Sequence, residues 1–294
     1  MEIFGVPSQA LFGQLLIGLI NGSFYALLSL GLAVIFGLLN IINFTHGAQY
    51  MLGAFCAYLL LNKLGIGYWW SLALAPIIVG ITGVIIERTM LSKLYKLDHL
   101  YGLLLTFGLA LIIQGLFRNE FGSSGLPYRI PQELQGAQNL GFMFLPNYRA
   151  WVIVVSLVVC LATWYVIERT KLGAYLRAAT ENPQLVQAFG INVPRMITLT
   201  YGFGVALAAF AGVMAAPIYQ VNPLMGADLI IVVFAVVVIG GMGSIMGAIV
   251  TGFGLGIIEG LTKVFYPEAS NTVIFVIMAI ALMFKPAGLF GTQK

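Results

Sequence analysis

Long apolar runs without an alternating pattern follow one another along almost the whole chain. Runs of about 17 to 22 residues match the roughly 20 residues that an α-helix needs to cross a bilayer. Strands of a membrane barrel would instead alternate apolar and polar residues over about ten positions. Only 8% of the residues are charged, whereas soluble domains carry about 25%. We therefore predict an all-α integral membrane protein.

The apolar segments number eight or nine, which predicts a polytopic bundle of about eight to nine transmembrane helices, some of them broken or re-entrant. The first segment is about 30 residues long, so it must tilt, bend near residues 21–23, or include a helix at the membrane surface. We expect a single transmembrane domain over residues 1–294. The segments lie near residues 10–39, 44–62, 69–87, 101–117, 150–167, 196–217, 229–245, 247–262 and 271–284.

Basic residues in two connections orient the bundle. Connections rich in Lys and Arg remain in the cytoplasm, so both of these should face inward. The polar loop at about 118–149 then lies outside, the C-terminus lies inside, and nine helices would put the N-terminus outside. The basic residues are Arg88, Lys93 and Lys96 in the first connection, and Arg169, Lys171, Arg177 and Arg195 in the second, at about 168–195.

Several catalytic and binding motifs are missing from the sequence. The phosphate-binding pattern G-x-x-x-x-G-K-[ST] is absent, so the chain has no ATP site of that kind. Its two histidines, His46 and His99, have no partner at metal-ligand spacing. The net charge of +4 reflects basic loops rather than a nucleic-acid surface. We predict a protein that is not an enzyme and binds no cofactor or metal itself.

The sequence NIINFTHGAQYMLG, residues 40–53, places a dense group of uncharged polar residues inside an apolar stretch. Polar groups at membrane depth face a bundle interior or a watery cavity. Single residues of this kind often only join helices by hydrogen bonds, each worth about 0.6 kcal/mol. For the whole group we favour a substrate path, with neighbours on the first segment. The predicted path residues are Asn21, Tyr25, Asn40, Asn43, His46 and Gln49.

The sequence ENPQLVQAFGINVPR, residues 181–195, predicts a short cytoplasmic helix with both ends specified. Asn182 is a good N-cap, Pro183 suits the first helical position, and Gly190 suits the residue after the helix. An apolar patch would either rest on the lipid headgroups or insert into a groove of a soluble partner. The patch comprises Leu185, Val186 and Phe189.

Glycines recur through residues 236–260, at spacings that support close packing of membrane helices. The sequence GGMGS within this stretch predicts a break between two helices, and such breaks often border a transport path. Glu259 lies four residues before Lys263, which favours an ion pair, although a buried functional carboxylate is the alternative.

Four ordered stretches resemble the LivH-type permeases, which are membrane subunits of ABC importers for branched-chain amino acids. The resemblance covers nearly the whole chain. The stretches are GSFYALLSLGLAVIFGLLNIINFTHGAQYMLGA, GAYLRAATENPQLVQAFGINVPRMITLTYGFGVALAAFAGV, GGMGSIMGAIVTGFGLGIIE and KPAGLFG.

The resemblance implies a partner set and a location. Such permeases pair with a homologous second permease and with two ATP-binding subunits, which hold the ATP and Mg²⁺. A periplasmic or extracellular binding protein delivers the substrate, and the assembly lies in the bacterial inner membrane. The capped helix then becomes the element that contacts the ATPase.

Two other classes of transporter are alternatives to this interpretation. An ion-coupled secondary transporter would need ionisable groups at mid-membrane, and the sequence offers only Glu259 and His46. A passive channel for urea or a small amide, of the aquaporin kind, would need Asn-Pro pairs in half-helices. The two Asn-Pro pairs, at 182–183 and 222–223, fall in predicted loops instead.

Overall fold

The computed structural model describes residues 2–3, 5–39, 42–95, 97–141 and 143–291, and helices dominate this part of the chain. Two short antiparallel hairpins, β1–β2 and β3–β4, lie at Glu2–Ile3 with Val6–Pro7 and at Ala137–Asn139 with Phe144–Pro146. The helices are α1 Ser8–Leu39, α2 Thr45–Leu64, α3 Tyr68–Thr89, α4 His99–Phe121, α5 Asn147–Arg169, α6 Lys171–Glu181, α7 Pro183–Ala188, α8 Val193–Tyr219, α9 Met225–Gly240, α10 Ile245–Phe265 and α11 Val273–Phe284.

Six of the described helices are long and apolar enough to cross a membrane: α1, α3, α4, α5, α8 and α10. Helix α2 has 20 residues but begins with the polar sequence THGAQ, and α9 and α11 have only 16 and 12 residues. All nine apolar segments found in the sequence overlap a helix. An all-α membrane protein is therefore confirmed, while the number of eight or nine crossings stays a prediction.

Helix α1 forms the centre of the bundle and is one unbroken helix of 32 residues. At 1.5 Å per residue it is about 48 Å long, well beyond the roughly 30 Å of hydrocarbon. The helix continues without interruption through residues 21–23, where the sequence permits a bend. Of its most apolar stretch, 83% is buried inside the protein, because α8, α9 and α10 pack around it.

Glycines bring α1 and α10 into backbone contact. A Cβ at Gly256 would lie 2.4 Å from the carbonyl oxygen of Gly18 and 2.4 Å from the Cα of Gly22. Neither neighbour is a flexible side chain that could move aside. The spacing of small residues that the sequence shows in this region therefore serves close helix packing.

Helices α3, α4 and α5 form the periphery and expose their apolar side chains to the surrounding lipid. Helix α4 buries only Gly102, Thr106 and Ala110, at positions i, i+4 and i+8 of one narrow face. An aromatic group that includes Tyr68 and Trp151 gathers where α3 and α5 begin. Tyr and Trp concentrate at membrane–water interfaces, which suits this end of the bundle.

The connections fall at two opposite ends of the bundle. Loop 122–146 is joined to the connection after α8 by the pairing of Leu126 with Val221. At the other end, the last turn of α3 is bonded to the start of α8 through Glu87 and Thr198. The basic connections thus share one end, as the charge pattern requires, and loop 122–146 lies at the other.

The α1–α10 contact generates a prediction with an internal control. Replacing Gly256 with Ala should force the two backbones apart and lower the melting temperature of the purified protein, since overpacking costs about 1–3 kcal/mol. Gly254→Ala is the matched control, because a Cβ there meets nothing within 4 Å on the same helix. Equal melting temperatures for the two variants in detergent would contradict the contact.

Candidate functional site

A polar cavity of about 350 Å³ lies where α1 and α2 meet the connection between α8 and α9. We call it the tyrosine cavity. Its apolar wall includes Phe24, Met225 and Leu229. The polar side chains that line it are Asn21, Tyr25, Tyr50, Tyr219, Asn222 and Asp228. It lies at the end of the bundle that carries loop 122–146, since Asn222 follows the Leu126–Val221 pairing.

A second cavity of about 310 Å³ adjoins the first one. The two share Tyr25, Asp228 and Leu229 in their linings. Glu259 and Asn271 line the second cavity only, on the side of α10 and α11. The shared residues thus lie between the two cavities.

A chain of hydrogen bonds crosses from α8 through α1 to α10 beside these cavities. The Tyr219 hydroxyl donates to Asn21 Oδ1 at 2.6 Å, and Asn21 Nδ2 donates to Glu259 Oε1 at 3.3 Å. The Tyr25 hydroxyl donates to the other oxygen of Glu259 at 2.7 Å. Lys263 Nζ lies 2.5 Å from Glu259 Oε1 and forms the ion pair that the i, i+4 spacing predicts. Glu259 is only 6% exposed, and these donors offset the cost of burying its charge.

Two polar groups of the tyrosine cavity have no partner within the described residues. The hydroxyl of Tyr50 is buried and makes no hydrogen bond. The carboxylate of Asp228, in the first turn of α9, is exposed to the cavity and has neither an ion pair nor a side-chain hydrogen bond. Buried polar groups normally have partners, so groups left free in a cavity are available to water or a ligand.

The polar residues at the start of α2 form a separate and closed group, which we call the α2 polar cluster. Asn43 Nδ2 donates to the Tyr201 hydroxyl at 3.2 Å, and His46 Nε2 lies 3.0 Å from the carbonyl oxygen of Leu28. Gln49 Nε2 donates to the same Tyr201 hydroxyl at 3.4 Å. The cluster is wholly buried and joins α2 to α1 and α8.

The structure therefore divides the sequence-predicted path residues into two groups. Asn21 and Tyr25 line the tyrosine cavity. Asn43, His46 and Gln49 instead lie in the buried α2 polar cluster. Asn40 lies outside the described residues. Tyr50, Tyr219, Asp228 and Glu259 complete the cavities without having been singled out as path residues.

The capping predicted for the short helix α7 is confirmed. The side chain of Asn182 accepts a hydrogen bond from the Leu185 backbone N–H at 3.0 Å, and Pro183 occupies the first position of α7. Gly190 follows the helix with φ of +81°, a conformation that favours glycine. Both ends of this helix follow from local residue chemistry.

The apolar patch of α7 differs from the prediction. Leu185 and Phe189 are 54% and 77% exposed, but Val186 is buried. Val186 packs with Ala179 of α6 and Val193 of α8 in a small apolar cluster. The prediction of one exposed three-residue patch is therefore wrong, because α6 provides an inner surface for Val186.

Helix α6 was missed in the sequence, where residues 171–181 were expected to form only part of a connection. Its buried positions, Gly173, Leu176 and Ala179, recur every three residues along one face. Arg177 fixes the helix beneath α5 by donating to the Ile167 carbonyl oxygen at 3.0 Å. The recurring small and apolar residues were the available signal, and the charged and polar residues between them obscured it.

Comparison with known proteins gives a consistent assignment. Residues 14–282 match the family described as branched-chain amino acid transport system / permease component. The chain is 30% identical to the high-affinity branched-chain amino acid transport system permease protein LivH of Escherichia coli K12, with 96% of each chain covered. It is 31% identical to the corresponding protein BraD of Pseudomonas aeruginosa, again with 96% of each covered.

A more distant relative is the permease protein LivM of Escherichia coli K12, which is 27% identical over 92% of this chain and 68% of LivM. No solved structure gives a significant match. No group of residues that could hold a metal ion occurs in the described ranges. The matched residues run from α1 to α11 and include both cavities and the α2 polar cluster. This chain belongs to the branched-chain amino acid transport system permease family.

Proposed function

We propose that this chain is the transmembrane permease subunit of an ATP-driven importer that carries a small amino acid across the bacterial inner membrane. The substrate class that we propose first is the branched-chain amino acids. The observation that carries the proposal is the family match over residues 14–282. The polar cavities inside an apolar bundle support it, because a transport subunit needs a route for a polar solute.

The tyrosine cavity offers chemistry that suits an amino acid. The free carboxylate of Asp228 can attract an ammonium group, and the Tyr50 hydroxyl can bond to a carboxylate. Phe24, Met225 and Leu229 provide apolar surface for a branched side chain. Few polar groups are free, so binding should be weak. Weak binding suits a substrate that is delivered by a binding protein and must be released again.

The α2 polar cluster is the next part of the proposed path. Asn43, His46 and Gln49 would line the route when α2 moves away from α1 and α8, and the proposed path also includes Asn40. Their hydrogen bonds join neutral groups, and water can replace such bonds at low cost. The closed cluster then corresponds to a state in which the route is shut.

The proposed assembly divides transport between several chains. A homologous second permease forms the other wall of the path, and relatives named LivH and LivM both resemble this chain. Two ATP-binding subunits hold ATP and Mg²⁺, and a periplasmic or extracellular binding protein supplies the amino acid. Helix α7 and its C-cap contact an ATPase subunit through Leu185 and Phe189, which are exposed although they are apolar.

The alternative functions have less support. Glu259, the carboxylate that an ion-coupled transporter could use, is already paired with Lys263. The Asn-Pro pairs that an aquaporin-like channel would use lie at the start of α7 and between α8 and α9, not in half-helices. Co-purification separates these classes. ATP-binding subunits should co-purify with a tagged form of this chain. A particle that contains this chain alone and is active in transport would contradict the importer proposal.

The exposed residues of α7 generate a prediction about coupling. Phe189→Asp should weaken ATPase binding about tenfold or more, because burial of one such side chain is worth about 1.5–3 kcal/mol. Membrane insertion should be unchanged. Gln184→Asp is the matched control, since it adds the same charge to α7 without removing an apolar contact. Retention of ATPase subunits by the Phe189 variant, measured by co-purification, would refute docking at α7.

The α2 polar cluster generates a prediction about the path. Asn43→Ala and His46→Ala should lower leucine uptake into proteoliposomes several-fold while assembly and ATP hydrolysis survive. Ser156→Ala is the control, because within the described residues that buried hydroxyl bonds only to Ile153 of its own helix. If the cluster only joins helices, the variants should assemble poorly, and any loss of uptake should be explained by the loss of assembled transporter. That result would contradict the proposed path.

A further inference from the structure

Glu87 is a buried carboxylate that the transport path does not use. It lies near the end of α3, is only 2% exposed, and has no ion-pair partner among the described residues. It accepts hydrogen bonds from the Tyr95 hydroxyl at 2.6 Å and the Thr198 hydroxyl at 2.7 Å. A carboxylate held in a membrane protein without a cation is costly, and such residues usually serve a function.

The two donors belong to different elements, so Glu87 joins three parts of the chain. Tyr95 belongs to the connection between α3 and α4, and Thr198 lies in the second turn of α8. The first residue of α8, Val193, packs against Val186 of α7. An unbroken series of contacts thus runs from α7 through the start of α8 to the end of α3.

The hydrogen bonds of Glu87 lie beside a cavity that water can enter. Burial, together with the bond to Glu87, raises the pKa of Tyr95 well above its usual range, so Tyr95 stays a donor at physiological pH. A cavity of about 560 Å³ borders the three side chains and also contacts Arg88 and Arg195. Water in that cavity can replace the hydroxyl donors when α8 shifts, so Glu87 need not be left unpaired.

We propose that Glu87 is a positioning residue that transmits movement of α7 and α8 to α3 and to the α3–α4 connection during the ATP-driven cycle. The inference rests on the proposed function, since it needs an ATPase that moves α7. Helix α3 packs along much of α8, so a shift in their relative position would reach the helices around the α2 polar cluster. Loss of the link should uncouple hydrolysis from transport rather than stop hydrolysis.

The test uses the full transporter in proteoliposomes, and its readout is the amount of leucine taken up per ATP hydrolysed. Glu87→Ala, Tyr95→Phe and Thr198→Val should each lower this ratio at least about fivefold, while ATP hydrolysis continues. Glu87→Gln should restore most of the ratio, because its amide can bond to both hydroxyls. Thr200→Val is the matched control, since the Thr200 hydroxyl bonds only to the Met196 carbonyl oxygen in the part of the chain that the structure describes.

The outcomes separate this inference from the proposed function. ATP-driven uptake by the unmodified particle is measured first, and its absence would overturn the proposed function itself. With uptake established, unchanged ratios in Tyr95→Phe and Thr198→Val would overturn the role of Glu87. A proportional fall of uptake and hydrolysis in all variants would also overturn it, because that result indicates damage to the fold. Both hydroxyl variants keep the carboxylate and one donor, so they test the link even if Glu87→Ala fails to assemble.

Discussion

The close contact of α1 with α10 determines how the rest of the bundle is arranged. Gly18 and Gly22 meet Gly256 with no side chain between the backbones. That approach brings Asn21 and Tyr25 of α1 within hydrogen-bond distance of Glu259 on α10. Lipid offers no hydrogen bonds, so the polar groups carried by these helices must find partners inside the protein. The glycines at the α1–α10 contact thus determine which polar side chains of the two helices come within hydrogen-bond distance.

Because lipid offers no hydrogen bonds, polar groups without a protein partner indicate where water or a solute could bind. Glu259 is held by Lys263, Tyr25 and Asn21. In the α2 polar cluster, bonds connect three helices, but His46 Nδ1 and Gln49 Oε1 are buried without a partner in the described part of the chain. Tyr50 and Asp228 line the tyrosine cavity, and neither the Tyr50 hydroxyl nor the Asp228 carboxylate has a side-chain partner in the described part of the chain. A route for an amino acid needs such groups, since fully satisfied side chains have no donors or acceptors left for a passing solute.

The parts of the structure that the sequence predicted are those that depend on local chemistry. Apolar run lengths located the helices, and Asn182 and Gly190 marked both ends of α7. The cavities depend on contacts between residues far apart in the chain, such as Asn21 and Glu259, 238 positions away from each other. No pattern within one segment could show that Asn21 and Asn43 serve different sites, because their separation depends on how α1 and α2 pack against α8. Val186 was misplaced for the same reason, since its partner helix α6 was not recognised.

Chemical modification at position 50 tests most directly whether the tyrosine cavity lies on the transport route. Tyr50→Cys is made in a chain whose Cys56 and Cys160 have been replaced, and the assembled transporter is treated with a bulky hydrophilic thiol reagent. We expect leucine uptake to stop while ATP hydrolysis continues. The same reagent on Trp70→Cys, at an exposed position of α3, should leave uptake unchanged. Normal uptake after complete modification at position 50, or a thiol there that is inert in every nucleotide state, would contradict the account.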